Sequence, residues 1–365
     1  MSQFHALTIQ SLEREPANTT VIQFEIPEGL ASDFHFLPGQ YLTLSVEVNG
    51  QEERRSYSLC SNPYAEQGHR VAVKVVAGGK VSTYLNQQVQ VGDTIDVKVP
   101  EGRFVPEIQP NRAVTYGLWA GGSGITPILS ILEAALSQEA QSRVVLVYAN
   151  STPEEVIFKN RLQHLQQQYG NRLKIANIYS QNGGKDALHA GRIDVAKAEE
   201  LLRTYIGTGP DREHYICGPE GMMKAVMNAL QNQQVPANQV NSEYFAAPEE
   251  VQEPAETAEE DSSEVWAGLA EGEGSHVTVE LDGDEYTIVV QGDQKILDVA
   301  LNEGIDAPYS CRGGVCASCI AKLEAGEVEM KMNFVLSDDE VEEGLIVTCH
   351  AHPKTSNVRL SFDDV

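Results

Sequence analysis

Four cysteines near the end of the chain carry its most specific chemistry. In Cys311-Arg-Gly-Gly-Val-Cys316-Ala-Ser-Cys319, three thiols are spaced by four and then two residues, and Cys349 follows after 29 more. Three closely spaced thiolates with a distant fourth match the plant-type ligand pattern of a [2Fe–2S] cluster. The glycines agree with that chemistry. A cluster with inorganic sulfides needs backbone N–H groups turned toward it, and Gly313 and Gly314 let the loop wrap closely without a Cβ in the way. A zinc site or four reduced core cysteines are the alternatives. Structural zinc ordinarily joins two short Cys-x-x-Cys knuckles, and only Cys316–Cys319 forms one. His350 and His352 follow the last cysteine, but four thiolates already fill the site, and both are read as surface residues.

Three further groups could bind or react. Arg55-Ser-Tyr57-Ser58 brings together a guanidinium that forks onto phosphate, a flat aromatic ring and a hydroxyl, although on its own it could be an ordinary strand surface. Gly78-Gly79-Lys80-Val81-Ser82 sets glycines and a serine at a helix start, where backbone N–H groups and the dipole suit a pyrophosphate; a plain turn with an N-cap would look alike. Trp119-Ala-Gly121-Gly122-Ser123-Gly124-Ile-Thr126-Pro127 lies between a buried strand and a helix predicted to begin at its proline. That is where a parallel sheet receives a ligand's pyrophosphate. Tyr215-Ile-Cys217-Gly218-Pro219 ends another strand, and an isolated buried cysteine there could equally be core.

These residues need scaffolds, and 365 residues suggest two or three domains at about 100–200 residues each. Short β-branched and aromatic runs from residue 5 to about 106, bounded by Gly and Pro, predict an antiparallel barrel or sandwich with one short helix over 81–88. From about 113 to 245, strand and helix patterns alternate, with Ile128, Ile131, Leu132, Ala135 and Leu136 on one helix face, predicting a parallel sheet with crossover helices. Residues 246–275 have too few apolar groups to pack and read as a linker. No apolar run approaches the about 20 residues that span a bilayer, and the first residues carry no export signal, so a cytoplasmic, reducing setting is expected. The net charge of −27 argues against nucleic acid, which needs clustered Lys and Arg. It is uneven: residues 1–248 hold 25 acidic and 20 basic side chains, 249–275 hold 10 acidic and none basic, and 276–365 hold 18 and 6.

Taken in order, the Arg-x-Tyr-Ser and Gly-Gly-Lys-Val-Ser segments and Cys217-Gly218-Pro219 resemble the flavin and nicotinamide motifs of the ferredoxin-NADP reductase superfamily. Residues 276–365 resemble a plant-type ferredoxin. The resemblance implies a multidomain chain: an antiparallel β-barrel flavin domain (1–108), an α/β parallel-sheet nicotinamide-binding domain (109–247), an acidic linker (248–275) and a β-grasp [2Fe–2S] ferredoxin domain (276–365). It implies FAD, favoured over FMN by the pyrophosphate site, on Arg55, Tyr57, Ser58, Gly79, Lys80, Val81 and Ser82, with Tyr57 against the ring and Ser58 near its N5. NAD(P)H would take Gly122, Gly124, Thr126, Cys217, Gly218 and Pro219, with Cys217 beside the hydride-transferring carbon and Phe245 near the flavin. Tyr57, Ser58 and Cys217 are the implied catalytic residues, and Cys311, Cys316, Cys319 and Cys349 the iron ligands. The choice between NADH and NADPH stays open. Asn150-Ser-Thr-Pro-Glu154-Glu155 offers hydroxyls and acids where a 2′-phosphate would call for Arg or Lys, and Gln181 stands where some NADP-linked relatives carry Arg.

A nicotinamide gives two electrons at once, a [2Fe–2S] cluster takes one, and flavin can hold both and release them singly. No oxygen-activating motif is present, so substrate oxidation is expected in another protein. The domain order looks most like the reductase subunits of bacterial phenylacetyl-CoA epoxidase complexes. Reductases of steroid 9α-hydroxylases, of other multicomponent oxygenases and of the hybrid-cluster protein share it, and a redox sensor is a different reading of the same parts. The acidic last domain is expected to dock on Lys and Arg of an oxygenase or epoxidase acceptor, the linker letting it shuttle.

Overall fold

The first hundred residues alternate inward apolar and outward polar side chains, and in the computed structural model, which describes residues 4–181, 183, 186–245 and 274–365, they form six antiparallel strands. These are β1 (Phe4–Glu15), β2 (Thr19–Glu25), β3 (Tyr41–Val48), β4 (Gln51–Ser58), β5 (His69–Lys74) and β6 (Thr94–Lys98), paired in the order β4-β3-β6-β1-β2-β5. The outer strands meet: Leu59 bridges Val71, and the Cys60 N–H donates to the Arg70 carbonyl at 2.8 Å. That contact curls the sheet into a barrel. Leu7, Ile9, Leu42 and Leu44 fill it at every second position, as the pleat requires, and α1 (Lys80–Gln87) adds Val81 and Leu85.

The next stretch changes period and builds a parallel sheet from β7 (Thr115–Gly121), β8 (Arg143–Asn150), β9 (Leu173–Tyr179), β10 (Arg212–Cys217) and β11 (Val240–Glu243), ordered β11-β10-β7-β8-β9. The helices between them are α2 (Ile125–Gln138), α3 (Lys159–Tyr169), α4 (Val195–Leu201) and α5 (Glu220–Asn232). The predicted apolar stripe of α2 is buried against the sheet. Its start differs from expectation. Gly122–Gly124 form a 3-10 turn, so the α-helix begins at Ile125 and Pro127 is its third residue, where its missing N–H still costs no intrahelical bond. Strand order reverses between β7 and β10, and in such sheets ligands bind beyond the carboxyl ends of that strand pair.

Barrel and parallel sheet belong to one compact unit that ends at Phe245; the described residues 274–365 belong to a second. Most of the expected linker, 248–275, lies outside the described residues. The second unit has β12 (Ser275–Leu281), β13 (Asp284–Val290), α6 (Ile296–Asn302), β14 (Ile320–Ala325), β15 (Val328–Met330), α7 (Asp338–Glu342), β16 (Leu345–Val347), β17 (Ala351–Pro353) and β18 (Asn357–Ser361). Its five-stranded sheet, β13-β12-β18-β14-β16, pairs β12 and β18 in parallel and shares a core with Ile296, Leu297 and Ala300 of α6. This mixed sheet grasping a helix is the expected β-grasp. His350 and His352 depart from expectation: they are 4% and 3% exposed. β17 pairs with β15, and the Lys331 N–H donates to the His350 carbonyl at 3.2 Å, which carries this segment inward. Among the described residues, no helix is long and apolar enough to cross a membrane.

One buried base makes the first unit acid-sensitive. His214 on β10 is fully buried, its Nδ1 accepts the Trp119 indole N–H at 3.4 Å, and its Nε2 has no hydrogen-bond partner among the described residues. Burial, with Arg212 adding to it, pushes its pKa down to about 4. The unfolded chain therefore takes up a proton near pH 6.5 that the folded chain refuses, so stability falls as pH drops from about 6.5 to about 4, by up to about 3 kcal/mol. Melting temperature should decline over that window, and His214→Gln should flatten the decline. An unchanged slope in the variant would assign the acid sensitivity to other groups.

Candidate functional site

β4 delivers the first cluster of candidate residues. Strand alternation puts Arg55 and Tyr57 on one face and Ser58 on the other. Arg55 reaches Glu53 at 3.0 Å, and Lys80, the first residue of α1, reaches the same carboxylate at 3.6 Å, so two cations from different elements converge. The start of α1 has no side-chain cap, which leaves its first-turn amides for another acceptor. A Cβ on Gly79 would lie 2.7 Å from Ser82 Oγ and 3.1 Å from the Val76 carbonyl, so glycine keeps this corner open. The Ser82 hydroxyl accepts the Val76 N–H at 3.1 Å and fixes the turn. Two cations, an uncapped helix start and a cradle that a side chain would fill fit a flavin dinucleotide's phosphates. Tyr57 packs against the barrel core, and burial raises its phenol well above the usual range, keeping it neutral.

At the switch point of the parallel sheet, Gly124 lies so near β10 that a Cβ there would sit 2.2 Å from the Cys217 carbonyl oxygen. The Thr126 hydroxyl donates to the Ser123 carbonyl at 3.1 Å and tightens the same turn. Beside it a cavity of about 860 Å³ is lined by Gly121, Gly122, Asn150, Ser180, Pro219 and the cations Lys74, Arg192 and Lys224. Its size and its glycine-rich floor fit a nicotinamide dinucleotide. Arg192 and Lys224 escaped the sequence reading because both lie far along the chain from β8, whereas Arg161, nearer in sequence, is turned to Glu133.

Cys217 ends β10 fully buried, and burial, helped by the charge of Glu243, pushes its thiol well up, so it stays protonated. Glu243 neighbours Cys217 in the register of β11, and the Ser58 hydroxyl donates to its Oε2 at 3.4 Å. The fold thus brings Ser58, Cys217 and Glu243 together. Glu243 carried no motif signal; Phe245, the candidate two residues on, is 45% exposed.

In the second unit the cysteines assemble as two pairs. Cys311 and Cys316 are in sulfur hydrogen-bond contact, as are Cys319 and Cys349. The Cys311 amide donates to Cys316 Sγ at 3.4 Å and the Gly313 amide to Cys311 Sγ at 3.3 Å. Arg312 and Ala317 hold left-handed φ values of 53° and 63°, a strained loop conformation of the kind that gathers at functional sites. Two adjacent thiol pairs with amides turned to sulfur fit a two-iron cluster better than zinc.

Comparison with known proteins gives the same three parts. Residues 6–105 match the oxidoreductase FAD-binding domain, 118–228 the oxidoreductase NAD-binding domain, and 279–354 the 2Fe-2S iron-sulfur cluster binding domain. The chain is 37% identical over 366 residues to a subunit of the 1,2-phenylacetyl-CoA epoxidase of Escherichia coli strain K12, covering 100% of this chain and 99% of that one. It is 35% identical over 370 residues to the ferredoxin reductase component of 3-ketosteroid-9-alpha-monooxygenase of Mycobacterium tuberculosis strain H37Rv, covering 99% and 97%. Among solved structures, phthalate dioxygenase reductase aligns over 98% of both chains with a TM-score of 0.60 and 25% identity.

Two substitutions probe the two units. Gly124→Ala forces a methyl group against the Cys217 carbonyl and should weaken coenzyme binding by at least about tenfold, roughly 1.4 kcal/mol, while bound FAD is retained. Titration with oxidised coenzyme reads this directly, and undiminished affinity would show that the turn gives way freely. Cys316→Ser should strip iron and its visible absorbance from the second unit, leaving FAD near one per chain. Full iron content in that variant would remove Cys316 from the ligand set.

Proposed function

Because the chain belongs to the family of FAD- and NAD-binding reductases with a 2Fe-2S domain that includes the 1,2-phenylacetyl-CoA epoxidase relative, we propose that its acceptor is the oxygenase component of a phenylacetyl-CoA epoxidase. The chain is an NAD(P)H-dependent oxidoreductase that passes electrons through FAD and a [2Fe–2S] cluster to an oxygenase. The observation that carries the finer reading is identity of 37% over 366 residues, spanning 100% of this chain and 99% of the relative.

Each group of residues has its part. Arg55, Lys80 and the start of α1 at Gly79, Val81 and Ser82 would hold the FAD phosphates, and Tyr57 would shield the ring from water. When bound, FAD supplies the ability to accept two electrons as hydride and to give them up singly, which the cluster requires. Gly122, Gly124 and Thr126 present backbone to the coenzyme's pyrophosphate, and Cys217, Gly218 and Pro219 wall the nicotinamide. Cys217, protonated and uncharged, gives that wall a soft apolar surface. Ser58 holds a proton at Oγ, and Glu243 orients it through the 3.4 Å contact. Phe245 would lie near the flavin. Cys311, Cys316, Cys319 and Cys349 hold the two irons.

The test mixes the purified chain with the catalytic subunits of a phenylacetyl-CoA epoxidase and follows coenzyme consumption and epoxide together. Matched yields, absent without the chain, support the reading. Coenzyme consumed with no epoxide, but with 9α-hydroxylation when a 3-ketosteroid oxygenase is supplied instead, would move the chain to the second relative's system. In the same assay Ser58→Ala should slow flavin reduction by about 100-fold, the low end of the range for loss of a positioned proton-holding group. A rate equal to wild type would exclude Ser58 from the reaction.

A further inference from the structure

Resting on the reading that NAD(P)H reduces FAD in this chain, we propose that Glu133 is a positioning residue that sets the spacing between the flavin and the coenzyme. Glu133 lies two turns into α2, where a helix carboxylate usually faces water, yet its side chain is 3% exposed. Three donors meet it there. Arg161 of α3 forks onto both oxygens, each at 2.7 Å, and the Gln67 amide donates at 2.8 Å from the barrel. Gln67 belongs to the loop that leaves Ser58 and returns as β5. The same loop is fastened to the same face of α2 at two other points. The Ser130 hydroxyl donates to the Ser61 carbonyl at 2.7 Å, and the Asn62 amide donates to Ser137 Oγ at 3.1 Å and more weakly to the Glu133 carbonyl at 3.4 Å. Positions 130, 133 and 137 lie along one helix face.

The two ends of this connection are the two cofactor sites. The loop begins directly after Tyr57 and Ser58, while α2 begins directly after the Gly122–Gly124 turn. A helix whose polar stripe is buried at Ser130 and Glu133 therefore links flavin-side residues to coenzyme-side residues. Burying the Glu133 carboxylate is costly and Arg161 keeps 40% of its side chain exposed, so the cluster adds little net stability; what its three donors supply is a fixed orientation. That is the property needed where reacting groups must meet at contact distance, since about 1 Å of misplacement can cost about 100-fold in rate.

The test compares the full-length wild-type chain with Glu133→Gln and with Gln67→Ala, which spares the α2–α3 pair and releases only the barrel loop. Measured for each are FAD content, affinity for oxidised coenzyme, hydrogen exchange at residues 61–67, and the rate of flavin bleaching at saturating NAD(P)H. Both variants should keep FAD, bind oxidised coenzyme within about twofold of wild type and exchange faster at 61–67. Bleaching should slow about tenfold for Glu133→Gln and about threefold for Gln67→Ala, modest fractions of the loss that full misplacement brings. A limiting rate within about twofold of wild type in either FAD-replete variant, or a deficit that more coenzyme restores, overturns the proposal. If Glu133→Gln fails to fold, Gln67→Ala alone decides. A wild-type flavin that NAD(P)H does not bleach would instead defeat the underlying reading, so the two failures are told apart.

Discussion

Two βα turns meet backbone to backbone at the centre of the parallel sheet, and the approach is so close that Gly124 has no room for a side chain against the Cys217 carbonyl. Much of the first unit follows from that contact. It requires β7 and β10 to be neighbours, which fixes the point where strand order reverses and so the place where a dinucleotide can lie. It also fixes the direction of α2, because the helix starts one residue after the glycine. The polar stripe on α2 then holds the barrel loop after Ser58, and the flavin-side residues are carried with that loop.

Electrostatics add a second constraint. The chain carries a net charge of −27, yet its cofactors are themselves anionic. The cations placed to offset this are local: Arg55 and Lys80 at the barrel, Arg192 and Lys224 at the sheet crevice, with helix starts at both. Acids inside this frame are used sparingly and are matched, as Glu53 is by two cations and Glu133 by a guanidinium fork. The second unit has few such cations, and its functional loop relies on backbone amides turned toward sulfur.

Much of the fold and cofactor set was legible in the residues alone because the relevant signals are local. A period of two over the first hundred residues and an alternation of periods after that specify a barrel and a parallel sheet. Glycine-rich turns after strands mark where phosphates go, and thiols at short spacings mark a cluster. Three readings went astray or were missed for a common reason. His350 and His352 look like surface residues after a cysteine, but pairing of β17 with β15 takes them inside. Glu243 sits in an unremarkable strand end, and its partner Ser58 is 185 positions away. Glu133 looks like an exposed helix acid, and its barrel partner Gln67 is 66 positions away.

The order of the residues by itself determined the domain types and the cofactor classes, and marked four cysteines as candidate ligands, since most of these signals depend on groups a few positions apart whose geometry is set by backbone period and turn chemistry. Only the tertiary structure decided which distant side chains share a site, which acids are buried and paired, and which cations face the coenzyme crevice. Those outcomes depend on desolvation and on contacts between elements far apart in the chain, and neither has a local signature.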